Sequence, residues 1–248
     1  MFAIRVSNSI RFSFSSDQLR LIALVAMTAD HLAWAFLPTV SLAAALVHLL
    51  GRIAMPIFCF LLAEGASHTR NARSYAFRLG GCALLSAIPY SLFISGTPFG
   101  APLSAAYTLL LCLAALCCVR STAPVLPRAF LLTGILLLAL PGDWGIYAVG
   151  WCLIFALGKE RPRLCGVLFS VLVLLNTARF MLPLLGKTDL FSLFCQSGIQ
   201  LGSLFALPLL AGYNGARTGG RGLKLFFYLY YPLHLALIDL FLFLGPGL

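Results

Sequence analysis

Long apolar segments separated by short polar ones dominate the chain. A helix needs about 20 apolar residues to cross the hydrocarbon layer of a bilayer. About nine segments approach that length, at residues 19–37, 42–63, 79–94, 104–119, 129–140, 144–157, 164–183, 190–211 and 223–244. The fifth and sixth are short, which suits tilted spans or a helical hairpin. The pattern therefore predicts an all-α, polytopic bundle of about nine transmembrane helices.

The composition excludes a soluble protein. Of 248 residues, 61% are hydrophobic and 10% are charged, whereas soluble domains carry about 25% charged residues. Unbroken apolar runs also argue against a transmembrane barrel, whose strands alternate between apolar and polar positions. The loops are short and no repeat is visible, so residues 1–248 are expected to form a single integral membrane domain. No matched pair of broken spans can be seen in the pattern.

The net charge of +10 predicts an orientation rather than a nucleic-acid partner. The 17 basic residues stand singly or in small groups between apolar segments, without a basic domain. If the polar lead-in of residues 1–18 is cytoplasmic, most of these residues fall on the inside, and Lys187 lies in an outside loop. Cytoplasmic loops of membrane proteins are enriched in Lys and Arg. We therefore expect a cytoplasmic N-terminus, an external C-terminus and no nucleic-acid partner.

The eight cysteines do not indicate chemistry. All of them lie in apolar segments, none forms a CxxC pair, and no histidine stands at a metal-ligand spacing from them. Buried cysteines behave as small hydrophobic residues in such helices. No metal site is therefore predicted.

Three ionisable side chains fall deep inside the first two predicted spans. Asp30 and His31 lie near the midplane of the first span, and Arg52 reaches a similar depth in the second. Charged groups inside a membrane are costly, so each one is a functional candidate. Asp30 and Arg52 would alternatively form a structural ion pair. His31 is the best general base at neutral pH, or is simply hydrogen-bonded to a neighbour. These three are the predicted catalytic residues, each with a partner on another span.

A basic polar loop follows the second span. Glu64 closes that span, and Arg70, Asn71 and Arg73 follow within a few residues. Basic residues at this position ordinarily anchor a protein to anionic lipid. The alternative is a binding site for a phosphate-bearing cytosolic ligand, because the guanidinium group matches phosphate geometry.

Six stretches of the chain resemble the TraX family of integral membrane proteins, which is associated with N-terminal acetylation of conjugative pilin. They run in order over most of the sequence: LRLIALVAMTADH (19–31), GRIAMPIFCFLLAEG (51–65), HTRNARSYAFRL (68–79), SAIPYSLF (86–93), GDWGIYAVG (142–150) and KLFFYLYYPLHL (224–235). The chain departs from the family pattern in the segment before TLLL. The family usually carries an Asn in that segment, whereas this chain reads SAAYTLLL from Ser104. The resemblance implies a multi-pass protein of the bacterial inner membrane, with a pilin or another envelope molecule as acceptor.

That family in turn resembles transmembrane acyltransferases that draw acyl-CoA from the cytosol. Many of those proteins carry a basic residue followed, after ten intervening positions, by a histidine, and Arg20 and His31 have this spacing. The resemblance implies that Arg20 binds a phosphate of the CoA, with Glu64, Arg70, Asn71 and Arg73 lining the same cytosolic entry. Acetyl-CoA would be the acyl donor, with no metal, and membrane lipid the surrounding partner.

Three functions follow from these features. The first is an acyltransferase in which His31 accepts the proton of the acceptor, Arg52 stabilises the oxyanion, and Asp30 orients Arg52 or the acceptor. The second is a secondary transporter or proton-coupled permease that uses the same intramembrane charges. The third is a non-catalytic assembly factor, for which buried charges would be needlessly costly.

Overall fold

The computed structural model describes residues 13–100, 102–216 and 220–244 of the chain. These residues form helices, turns and two isolated β-bridges, without a β-strand among them. Arg5, Arg11 and Arg217, which contribute to the predicted orientation, lie outside the described residues, as does most of the lead-in. The all-α prediction is confirmed for the described part of the chain.

Eleven α-helices are present in the described ranges. They are α1 Ser16–Phe36, α2 Leu42–Gly51, α3 Ala54–His68, α4 Ala72–Ser95, α5 Ala105–Arg120, α6 Val125–Ala139, α7 Gly145–Leu157, α8 Pro162–Met181, α9 Leu190–Gln196, α10 Ala206–Ala211 and α11 Arg221–Leu244. A short 3-10 turn follows α8 at Leu182–Leu184, and a longer one, called here the 3-10 helix, spans Gly198–Phe205. Each of the nine apolar segments coincides with one or more of these helices.

Five helical segments are long and apolar enough to cross a membrane. They are Ser16–Phe36, Leu42–His68, Ala72–Ser95, Pro162–Leu184 and Leu225–Leu244. A sixth crossing is added if Leu190–Gln196 and Gly198–Ala211, which meet at an angle of 50°, form one bent span. The apolar helices α5, α6 and α7 are shorter, with 16, 15 and 13 residues. The structure therefore supports five to six spans, while nine spans and a cytoplasmic N-terminus stay predictions.

The first span begins at a capping box. The Ser15 hydroxyl accepts a hydrogen bond from the backbone N–H of Gln18, and the Gln18 side chain accepts one from the N–H of Ser15. Such a reciprocal pair satisfies two backbone donors that the first helical turn leaves without partners. The apolar pattern alone started this span three residues later, at residue 19, because it does not register the polar cap.

The described residues divide into two compact units, each built from two separate stretches of chain. The described residues of unit 1 fall within 1–61 and 157–218, and those of unit 2 fall within 62–156 and 219–248. In unit 1, α2 packs against α1, α9 and the 3-10 helix, and the 3-10 helix also packs against α8. In unit 2, α4 packs against α5 and α11, and α5 packs against α6. The single domain 1–248 stays a prediction.

Two candidate spans are interrupted within unit 1. The segment Leu42–His68 breaks at residues 52 and 53, between α2 and α3. The second interruption is the 50° bend between α9 and the 3-10 helix. The sequence pattern predicted neither of them, because the apolar runs on the two sides of each break are separated by only a few residues, Arg52 at the first and Gln196 to Gly198 at the second. At the first break, the carbonyl of Arg52 accepts a hydrogen bond from a polar side chain of unit 1, the hydroxyl of Ser203.

In unit 2, Ser104 forms the N-cap of α5. Its hydroxyl accepts a hydrogen bond from the N–H of Tyr107 and lies 3.0 Å from the hydroxyl of Ser86. Both serine side chains are buried. Serine is among the strongest N-cap residues, so Ser104 is expected to stabilise the start of α5.

Replacing Ser104 with alanine is expected to lower the free energy of unfolding by about 1 kcal/mol, the usual contribution of an N-cap. Ser67→Ala is the matched control, because the exposed Ser67 hydroxyl bonds the carbonyl of Glu64 within its own helix. Its effect should stay within about 0.5 kcal/mol. Thermal unfolding of the two variants in detergent compares them directly. Equal midpoints would contradict a capping role for Ser104.

Candidate functional site

Three ionisable side chains meet inside unit 1, and they are called here the charge cluster: Asp30 of α1, His48 of α2 and Arg52 at the end of α2. Asp30 is 7% exposed and His48 is 1% exposed. The side chain of Arg52 is also largely enclosed, at 12%. A buried carboxylate requires paired charges and hydrogen bonds to offset the loss of its hydration.

One carboxylate oxygen holds the cluster together. Oδ1 of Asp30 lies 2.8 Å from Nδ1 of His48 and 3.6 Å from Nη2 of Arg52. A carboxylate can only accept hydrogen bonds, so Nδ1 of His48 carries the hydrogen and donates it. In the neutral imidazole, this tautomer leaves the lone pair on Nε2. The predicted convergence of Asp30 and Arg52 is thus present in the structure, with a histidine added.

Local sequence explains why these groups meet. His48 and Arg52 stand four residues apart, a spacing that places side chains on one face of a helix. Between them, Gly51 has no side chain, and a Cβ there would lie 2.6 Å from Oδ1 of Asp30. Glycine therefore lets α1 and α2 approach closely enough for the carboxylate to reach both partners.

The last turn of α2 is also held from its other side. Gly202 of the 3-10 helix packs directly on the backbone carbonyl of Leu49. The next residue, Ser203, donates a hydrogen bond from its hydroxyl to the carbonyl of Arg52, at 3.4 Å. Carbonyl groups at a helix C-terminus lack intrahelical donors, so Ser203 satisfies one at the break. The cationic side chain of Arg52 also suits the negative end of the α2 dipole.

An aromatic ring covers the imidazole. The ring centroids of Trp34 and His48 are 4.3 Å apart, with the planes inclined by 35°. Trp34 is 40% exposed, whereas the histidine beneath it is buried. The tryptophan therefore separates one face of the imidazole from the surroundings and limits the directions from which a ligand reaches it.

The other predicted residues of unit 1 lie outside the charge cluster. His31 follows Asp30 on α1 and is half-buried. Arg20 lies near the start of α1, where its guanidinium group contacts the carboxylate of Asp17 at 2.7 Å. Eleven residues of helix separate Arg20 from His31, a distance of about 16 Å. Their functional roles stay predictions.

The remaining predicted ligands belong to unit 2. The carboxylate of Glu64 lies 3.7 Å from Nε2 of His68, one turn further along α3. Asn71 caps α4 by accepting a hydrogen bond from the N–H of Ser74 at 2.9 Å. Arg70 and Arg73 are exposed, which suits either anionic lipid or a phosphate group. Binding of CoA by these four residues stays a prediction.

Sequence reasoning missed His48. A signal was available, because His48 and Arg52 share a helix face and lie within one turn of each other. His31 was selected from the sequence instead because it is adjacent to Asp30, although adjacent residues of a helix point about 100° apart. Asp30 therefore finds its partners on the second helix, as predicted. One of them is the predicted Arg52, and the other is His48, which was not singled out from the sequence.

A family model and a curated relative each match most of the chain. A family model described as "TraX protein" matches residues 15–241. The chain is also 33% identical over 236 residues to "Probable fimbrial assembly protein FimC, serogroup H1" of Dichelobacter nodosus, covering 91% of this chain and 94% of that relative. No solved structure matches the chain. The family match includes all three residues of the charge cluster.

Proposed function

The chain belongs to the TraX family, and from that premise we propose that it is a membrane-bound acyltransferase that moves an acetyl group from cytosolic acetyl-CoA to an acceptor in the cell envelope. The relative is named a probable fimbrial assembly protein, so the proposed acceptor is the N-terminal amine of a pilin. The proposed location is the bacterial inner membrane, where a cytosolic donor and an envelope acceptor both have access.

The observation that supports this proposal is the charge cluster. Acyl transfer needs a base for the proton of the nucleophile and a cation or hydrogen-bond donor for the carbonyl oxygen. The paired helices α1 and α2 provide imidazole groups and the guanidinium group of Arg52 beside the carboxylate of Asp30. Electrostatic stabilisation is strongest in an interior shielded from water, which gives a reason to bury these costly groups.

The proposed reaction transfers the acetyl group from the sulfur of CoA to the nitrogen of the acceptor. The acceptor nitrogen attacks the thioester carbonyl carbon, and the amine proton passes to an imidazole, for which the sequence suggests His31. The electron pair of the C=O bond moves to the oxygen, which Arg52 stabilises. When the intermediate collapses, the carbon–sulfur bond breaks and the imidazolium returns its proton to the leaving sulfur. The products are the N-acetylated acceptor and free CoA.

Purified protein in lipid nanodiscs, given acetyl-CoA and a peptide with the pilin N-terminus, is expected to release free CoA thiol and to acetylate the peptide. Thiol titration and mass spectrometry measure the two products. In the absence of peptide, acetyl-CoA at 100 times its Kd should stabilise the fold by about 2.7 kcal/mol. Arg20→Gln should weaken this stabilisation, since Arg20 is the proposed phosphate ligand.

Arg163→Gln is the matched control for Arg20, because Arg163 is an exposed arginine near the start of α8 in the same unit. It should leave binding unchanged. If acetyl-CoA neither stabilises the wild-type protein nor is consumed, the acyltransferase proposal is wrong. If both arginine variants bind equally well, the role of Arg20 is wrong while the activity stands.

A second function is favoured by the interrupted spans. The break between α2 and α3 and the bent segment Leu190–Ala211 meet where Ser203 bonds the carbonyl of Arg52. Secondary transporters form substrate and ion sites from such discontinuous helices. A permease would move protons or an anion into proteoliposomes without cleaving a thioester. Proton uptake without release of free thiol would therefore favour the permease.

A further inference from the structure

The side chain of His48 presents one buried nitrogen that the rest of the site leaves without a partner. Its Nδ1 bonds Asp30, whereas its Nε2 has no hydrogen-bond partner among the residues that the structure describes. The residue is 1% exposed, so water at the protein surface does not satisfy this atom. Buried polar atoms without partners are rare in folded proteins and frequently mark a place where a ligand or a reacting group binds.

The surroundings of His48 suit proton transfer. Donation from Nδ1 to the carboxylate fixes the tautomer whose Nε2 carries a lone pair. Once Nε2 is protonated, the anionic Asp30 lies 2.8 Å from the other ring nitrogen and stabilises the imidazolium. Arg52 is 3.6 Å from the same oxygen, so a cation also faces this carboxylate. An imidazole oriented by a carboxylate in this way recurs among the general bases of enzymes.

We infer that His48, rather than His31, is the base of the acyl transfer, and that its Nε2 touches the attacking group of the acceptor. This inference rests on the proposed function. The acceptor N–H or O–H gives its proton to Nε2 as the new bond to the acyl carbon forms. When the carbon–sulfur bond breaks, the same proton passes from Nε2 to the sulfur, and the imidazole returns to its neutral tautomer. No additional reactant is required.

The distinction from His31 is geometric. His31 is half-buried on α1, whereas His48 is buried and its Nδ1 lies 2.8 Å from Oδ1 of Asp30. His48 combines full burial, an orienting carboxylate, a covering Trp34 ring and an unpartnered ring nitrogen. The imidazole of His48 also lies in the charge cluster with Arg52, the proposed stabiliser of the carbonyl oxygen. The base and the cation would therefore act on one reaction centre.

The decisive variant is His48→Asn. The asparagine amide stands in for Nδ1–H and keeps a donor for Asp30, but it has no counterpart of Nε2. We expect a wild-type unfolding midpoint, unchanged binding of acetyl-CoA and a fall in kcat of at least about 100-fold, the usual lower effect of losing a general base. A residue that only positions Asp30 would leave kcat near the wild-type value. His31→Asn removes the other candidate base and is the comparison that separates the two histidines: the inference expects it to lose less turnover than His48→Asn.

A second variant keeps the inference testable if His48→Asn does not fold. His48→Ala leaves space for a small base, and millimolar imidazole should restore part of its turnover, whereas it should not stimulate the wild-type enzyme. Turnover of the wild type with full activity in His48→Asn would overturn the inference and leave the proposed function intact. Loss of turnover in His31→Asn, with His48→Asn active, would return the role to His31. Absence of turnover in the wild type would overturn both proposals.

Discussion

Replacing Asp30 with alanine is expected to lower the free energy of unfolding by about 3–5 kcal/mol. Removal of one partner from a buried ionic group typically has this effect, because it leaves the opposite charge in an interior without its counterion. Here the same carboxylate oxygen contacts both His48 and Arg52, so one substitution removes the hydrogen-bond acceptor of the histidine and an anion beside the arginine. Thermal or denaturant unfolding in detergent measures the change.

Asp17→Ala provides the matched control on the same helix. Its carboxylate also contacts an arginine, Arg20, at 2.7 Å, but the pair lies in the first turn of α1 with the guanidinium group partly exposed. Such pairs contribute at most about 1 kcal/mol. If Asp30→Ala is no less stable than Asp17→Ala, the charge cluster does not stabilise unit 1. Adding Arg52→Met to Asp30→Ala should recover stability, since the buried cation that has lost Asp30 is then removed.

Gly202→Ala is expected to destabilise the protein by about 3 kcal/mol. The new methyl group would collide with the backbone carbonyl of Leu49, and backbone cannot rotate away as a side chain can. The 3-10 helix would have to move off α2, which would also disturb the bond from Ser203 to Arg52. Overpacking of this kind ordinarily costs about 1–3 kcal/mol, and a backbone neighbour places this position at the upper end.

Gly166→Ala is the control for Gly202→Ala. Gly166 lies within α8 of the same unit, and a Cβ there meets nothing within 4 Å. Alanine in a helix is favoured over glycine, so this variant should gain about 0.4–1 kcal/mol. Opposite signs for the two substitutions are therefore expected in the unfolding midpoint. A stable Gly202→Ala protein would show that α2 and the 3-10 helix are less closely packed than the structure indicates.

Most of the helices could be predicted from the sequence because helix formation depends on local properties. The apolar segments at 164–183 and 223–244 coincide closely with α8 and α11, since their apolar length is itself the signal. The start of α1 was misplaced by three residues because a capping side chain, not apolarity, determines it. The number of crossings could not be derived, because α5, α6 and α7 are apolar but short.

The candidate site was predicted in part. Asp30 and Arg52 were identified because charges deep in apolar segments are costly wherever they lie, and their similar depth in consecutive helices indicated a meeting point. The break at residues 52 and 53 was not predicted, although Pro56 carries a local signal for it: proline has no N–H to donate to the carbonyl of Arg52, four residues earlier. What the local pattern does not contain is the group that bonds this carbonyl instead, the hydroxyl of Ser203, 151 positions further along the chain.

The sequence by itself determined the class of the protein, the positions of most helices and the membership of Asp30 and Arg52 in a buried site. Apolar run length and the cost of buried charge are sufficient for these conclusions. Only the tertiary structure decided which histidine completes the site. That choice depends on the approach of α1 to Gly51, which brings the carboxylate to His48. A contact between two helices depends on their packing, and residue spacing along either helix does not specify it.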